Sequence, residues 1–107
     1  MTQFSNSDSA RAFIRQTGRN LRIARKRRLK TIAEVAEMVG VSASTIKRIE
    51  AGDPSVKFGI YLALIEVFQL EEAVHFAEPE SDVIGIALEK QRLPERIRAK
   101  KDQRLDF

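Results

Sequence analysis

The 107-residue chain contains no cysteine. That excludes a disulfide framework and thiolate metal sites, and it suits a reducing compartment. Catalytic side chains are scarce as well. His75 is the sole histidine and lies beside Phe76 in a mostly apolar stretch, where a structural role is expected rather than general-base or ligand chemistry. Glu71 and Glu72 are sequence neighbours, so on a helix they do not face each other. No glycine-rich phosphate loop and no paired-histidine motif is present. These absences argue against an enzyme, and neither metal nor cofactor is expected. Long hydrophobic runs are missing too. The longest nearly apolar stretch covers 13 residues, 58–70, and contains Glu66 and Gln69, whereas a membrane-spanning helix needs about 20 apolar residues. The first residues lack the basic-then-apolar pattern of a secretory signal. A cytoplasmic, nucleoid-associated protein with no membrane partner is the expectation.

The apolar fraction, 43%, is enough for one small domain with a packed core and a tail. The net charge of +4 hides a strong segregation. Residues 1–57 carry 12 Lys and Arg against 5 Asp and Glu, a balance of +7. Residues 58–89 have 7 acidic and no basic side chains, and residues 90–107 return to +4. A basic front of this kind fits a polyanion-facing surface, although a solvated helix face carries similar charge.

Local signals point to helices throughout. Ser7, Asp8 or Ser9 can cap a first helix from about Ala10 to Arg27, with Phe13, Thr17, Leu21 and Ala24 forming an inward stripe. Thr31 and Glu34 have the spacing of a capping box opening a second helix, with Ile32, Val35, Ala36 and Val39 inward and Gly40 as a left-handed stop. Ser42 caps a third helix with Ile46 and Ile49 inward, and Gly52-Asp53-Pro54 ends it. A fourth, from about Lys57 to Phe68, is apolar on nearly every side. Such a helix needs cover all round, which places Tyr61, Leu62 and Ile65 at a partner or dimer interface; a strand is the alternative for this segment. A weaker fifth helix is expected over 71–77, broken at Pro79. The patch Val83-Ile84-Gly85-Ile86-Ala87-Leu88 is ambiguous between strand and helix, and Val83, Ile84, Ile86 and Leu88 join the expected interface. Pro94 should interrupt the chain beyond this patch, leaving residues 95–107 without order of their own.

The second and third helices meet at the tight turn Gly40-Val41-Ser42. The side of the third helix away from its apolar residues presents Ala43, Ser44, Lys47 and Arg48. A narrow helix with small and basic side chains suits the major groove of DNA. Ser42, Ser44 and Thr45 offer hydroxyls, Lys47 and Arg48 reach base edges, and Ala43 fits against a thymine methyl. Thr31 with the amides of its helix, Lys57, Arg22 and Lys26 are candidate phosphate contacts, as are Arg28 and Lys30.

Three segments together, LRIARKRR at 21–28, TIAEVAEMVGVS at 31–42 and STIKRIEAGDPSV at 44–56, resemble the Xre family, the Cro/C1-type helix-turn-helix of phage repressors. The resemblance implies an all-α fold, a five-helix domain over residues 8–77 followed by a C-terminal extension and basic tail over 78–107. It also implies that the third helix is the reader, that the protein is a homodimer on double-stranded operator DNA, and that Arg25 and Glu50 form a buried ion pair. Two positions depart from the family pattern. Ile32 stands where Gln is common and contacts phosphate, and Lys57 stands where a Ser or Thr cap is common.

The GDPSV turn, the VIGIALEKQRLPERIR segment and the chain length resemble HipB-like antitoxins. That likeness implies an autorepressor of its own operon that associates with a HipA-like serine/threonine kinase toxin, with room for a further small antitoxin subunit. A free-standing phage-type repressor shares the DNA chemistry without the kinase. A protein-interaction adaptor that has lost DNA binding is the third alternative, kept open by Ile32 and Ala43.

Overall fold

The side-chain oxygens of Ser7, Thr31 and Ser42 each accept a hydrogen bond from the amide three residues on, and each opens a helix at that point. The computed structural model describes the backbone of residues 7–99 and the side chains of residues 7–92. The helices are α1 (Asp8–Arg27), α2 (Ile32–Val39), α3 (Ala43–Glu50), α4 (Phe58–Val67) and α5 (Val83–Ala99). Short 3-10 turns occupy Glu71–Ala73 and Pro79–Ser81, and no strand occurs among the described residues. The fold is all-helical, as the family resemblance implies, and both segments that periodicity left open between strand and helix are helices.

The chain divides into two units, Met1–Ala73 and Val74–Phe107, so the division falls four residues before the 77/78 boundary expected from sequence. In the first unit α3 packs on both α1 and α2, and α2 packs on α4. Leu21, Val35, Ala36, Ile46, Ile49 and Leu64 form the centre of its core, with Val56 and Phe68 closing it. Gly18 lets α1 approach α3. A Cβ there would collide with the carbonyl of Ile49 and lie 2.9 Å from that of Glu50. The inward line of α1 therefore runs through Gly18, Leu21, Ala24 and Arg25, while Phe13 is 54% exposed and outside the stripe assigned to it. At the end of α2, Gly40 adopts φ 85° and donates its amide to the Ala36 carbonyl at 2.8 Å. A side chain is strongly disfavoured in that conformation.

Two expected interface residues belong to the core. Tyr61 is 6% exposed and Ile65 8%, because the turn after α3 and the face of α2 cover that side of α4. Leu62 stays on the exposed side. The expected helix over 71–77 shrinks to the turn Glu71–Ala73. Seven residues with little to pack against cannot offset helix nucleation, and Ala77 takes a left-handed φ of 51°.

In the second unit the ambiguous patch is helical. Asp82 caps α5, its carboxylate accepting the Gly85 amide at 2.8 Å. The helix continues past Pro94 to Ala99, so Pro94 removes one backbone hydrogen bond without ending it. The expectation of an unordered tail is corrected for residues 95–99; its remainder, 100–107, lies outside the described residues. Val83, Ile84 and Leu88 are exposed on α5, and Ile86 is half-buried.

Candidate nucleic-acid interface

The α2–turn–α3 pair is fixed from both ends by local chemistry. At its start the Thr31 hydroxyl accepts the Glu34 amide at 3.0 Å, and the Glu34 carboxylate accepts the Thr31 amide at 2.8 Å. The second bond holds the Glu34 carboxyl below the usual carboxylate range, with the nearby Lys30 charge adding to it. The Thr31 amide is therefore taken by the Glu34 carboxylate, as the capping-box spacing predicts, which leaves the later amides of the first turn and the Thr31 hydroxyl as the candidate phosphate donors. At the turn, Ser42 accepts the Thr45 amide at 3.1 Å, and the Ser42 and Thr45 hydroxyls lie 3.0 Å apart.

The far end of α3 is tied to α1 by charge. Arg25 Nε donates to Glu50 Oε2 at 2.7 Å, Arg25 Nη2 donates to Glu50 Oε1 at 3.0 Å, and Nη1 donates to the Lys30 carbonyl at 2.9 Å. Both side chains are buried. The Glu50 hydrogen bonds raise the Arg25 pKa against the opposing effect of burial. This two-pronged geometry suits the planar guanidinium and fixes the angle between helices.

On the scaffold so built, Ala43, Ser44, Lys47 and Arg48 are all exposed, with Ile46 and Ile49 buried behind them. Residues 43 and 47, and 44 and 48, are one turn apart and form two adjacent rows on the outer side of α3. Arg22, Lys26, Lys57 and Thr31 are exposed too, while Thr45 is half-buried. Lys57 occupies the cap position of α4 but makes no side-chain cap bond.

A family model described as a helix-turn-helix domain matches residues 16–76. The chain belongs to that helix-turn-helix family. Searches of curated proteins and of solved structures found no match. Helix-turn-helix domains are DNA-binding units of regulators, and the matched span includes the whole of α2, α3 and α4.

Within the helix-turn-helix domain, three contributors escaped the sequence reading. Arg28, grouped there with phosphate contacts, donates to the carbonyls of Ala24 and Phe68 at 2.9 Å each and lies 5.0 Å from the Phe68 ring centroid. It straps the end of α4 to α1. Asp53, read only as part of a helix stop, and Ser55, read only as part of the GDPSV turn, bond directly to Arg48. The spacing of Arg48 and Asp53 carried no signal, since the contact depends on how the loop folds back. His75 is exposed, with Nδ1 3.4 Å from Glu78 Oε2. Among the described residues no group of three His, Asp or Glu side chains could hold a metal ion, and no helix is long and apolar enough to cross a membrane.

Proposed function

We propose that the protein is a sequence-specific, DNA-binding antitoxin of the HipB-like kind. It binds operator DNA as a dimer, represses its own operon and associates with a HipA-like serine/threonine kinase toxin. The observation that carries the DNA half is the exposed row of Ala43, Ser44, Lys47 and Arg48 on a helix whose other side is locked into the core. Lys47 and Arg48 read base edges, Ser44 and Ala43 make close polar and methyl contacts, and Thr31, Ser42, Thr45, Lys57, Arg22 and Lys26 hold phosphates. The +7 balance of residues 1–57 favours this assignment over a neutral adaptor surface.

The partner half is supported by α5. Val83 is 76% exposed and Ile84 74%, a rim of aliphatic side chains that a second protein surface would cover. In the first unit, Leu62 is a separate exposed candidate contact, whereas Tyr61 and Ile65 are spent on the core. A free-standing repressor would use the same α5 patch for dimerisation alone.

Electrophoretic shift with DNA from upstream of the protein's own coding sequence tests the DNA half. Lys47→Ala and Arg48→Ala should each weaken binding about tenfold or more. Full retention in both variants would remove α3 from the interface. Affinity purification of the full chain tests the partner half, the expected companion being the kinase; a protein that always emerges alone leaves only the repressor.

A further inference from the structure

Arg48 is a tethered side chain. Its Nε donates to Asp53 Oδ2 at 2.9 Å, and its Nη2 donates to Ser55 Oγ at 2.9 Å. Asp53 is itself held on every side. Its Oδ1 accepts from the Ser55 amide at 2.8 Å and from the Ser55 hydroxyl at 2.7 Å. Its amide donates to the Arg48 carbonyl at 3.0 Å, and its carbonyl accepts the Tyr61 hydroxyl at 2.9 Å. The Ser55 hydroxyl thus donates to the carboxylate and accepts from the guanidinium at once. Since Tyr61 is buried, hydrogen bonds to the two ends of Asp53 link the core to Arg48 on the exposed side of α3.

The tether alters what Arg48 can do. A guanidinium has five N–H donors in a rigid plane. Two face the 53–55 loop through Nε and Nη2, and Nη1 makes no hydrogen bond among the described residues. The plane is therefore set before any ligand arrives, which lowers the ordering cost of a geometric contact. The adjoining carboxylate also offsets part of the charge, so simple attraction to phosphate is weakened. Ser55 hydrogen bonds, with help from Arg48, lower the Asp53 carboxyl to about 2, so the tether is ionised at any ordinary pH.

We propose that Asp53, fixed by Ser55 and Tyr61, is a positioning residue that aims Arg48 at base edges and suppresses its use as an indiscriminate phosphate contact. The inference rests on the reading of α3 as the DNA-facing helix, and it adds a specificity determinant that does not itself touch DNA.

The test is fluorescence anisotropy of the full chain on two labelled duplexes over a salt series. One duplex comes from upstream of its own coding sequence; the other is a shuffle of equal length and composition. Wild type, Asp53→Asn, Arg48→Ala and the double variant are compared, with thermal unfolding as the folding control. In Asp53→Asn the upstream-to-shuffled affinity ratio should fall about tenfold, the shuffled duplex should bind more tightly, and the salt slope should steepen. In the Arg48→Ala background the same substitution should change the ratio less than about twofold, since coupled residues are not additive. If Asp53→Asn does not fold, Ser55→Ala, which leaves the carboxylate in place, carries the same comparison in both backgrounds with a smaller drop. An unchanged ratio, or an equal drop with and without Arg48, overturns the proposal while leaving DNA binding intact. Wild type that holds both duplexes equally overturns the reading of α3, and this inference with it.

Discussion

Arg25 and Arg28 sit one turn apart in the run RKRR, yet they have different fates. Arg25 is turned inward to Glu50, 25 positions away, and Arg28 to the Phe68 carbonyl, 40 positions away. Nothing local distinguishes these arginines from Lys26 and Arg27; of the four only Arg25 is buried, and Arg28 makes its bonds from an exposed position. The Arg25–Glu50 pair was legible only through family resemblance, and the Arg28 strap was not legible at all, because a long cation finds its partner by tertiary placement. Burial sets the energetic stakes. Replacing Glu50 with Ala leaves the Arg25 guanidinium enclosed, with only the Lys30 carbonyl of its present partners. Uncompensated buried charge costs about 3–5 kcal/mol. Urea unfolding of Glu50→Ala should show a loss of that size with an unchanged m-value; a loss below about 1 kcal/mol would mean that water takes over the carboxylate's role.

Helix starts and ends both fall close to where the sequence puts them, but the left-handed residue that turns the chain at an end was readable only where it is glycine, for a physical reason. A cap needs one hydroxyl three residues before an amide, so Thr31–Glu34 and Ser42–Thr45 declare themselves in sequence. An ending depends on which residue is forced into left-handed backbone. Gly40 is the readable case. Leu29 after α1 and Gln69 after α4 do the same at φ 55° and 59°, although neither residue favours it. At both ends the following amide reaches back five residues, Lys30 to Arg25 and Leu70 to Ile65, which overrules the local preference. Leu29 is 90% exposed, so its side chain contributes little packing to offset the strain. Leu29→Gly should therefore stabilise the domain by about 0.5–1 kcal/mol, the left-handed penalty removed less the added freedom of the unfolded chain. Differential scanning calorimetry reads this as a higher melting temperature, and a fall would show that Leu29 packs in a way its exposure hides.

For the molecule as a whole, the sequence identified the apolar surfaces but not their direction. The fourth helix is apolar nearly all round, and only the fold reveals that Tyr61 and Ile65 face inward while Leu62 and Phe58 remain outside. The α5 patch retains its exposure, and the proposed dimer makes it answerable. Ile84→Asp places a charge in the middle of that rim, so sedimentation should shift from dimer to monomer, with operator affinity falling by about 100-fold or more as the second half-site contact is lost. A variant that still sediments as a dimer moves the interface elsewhere. With two domains each neutralising about six phosphates, the logarithmic salt slope of operator binding should approach about −10, against about −5 for the monomeric variant.

The phenol of Tyr61 gives the first unit an internal lever. One hydroxyl, on a side chain otherwise enclosed in the core, holds the loop whose carboxylate grips the Arg48 guanidinium. If α3 faces the duplex as proposed, a partner that shifts the fourth helix would disturb Arg48 through this loop.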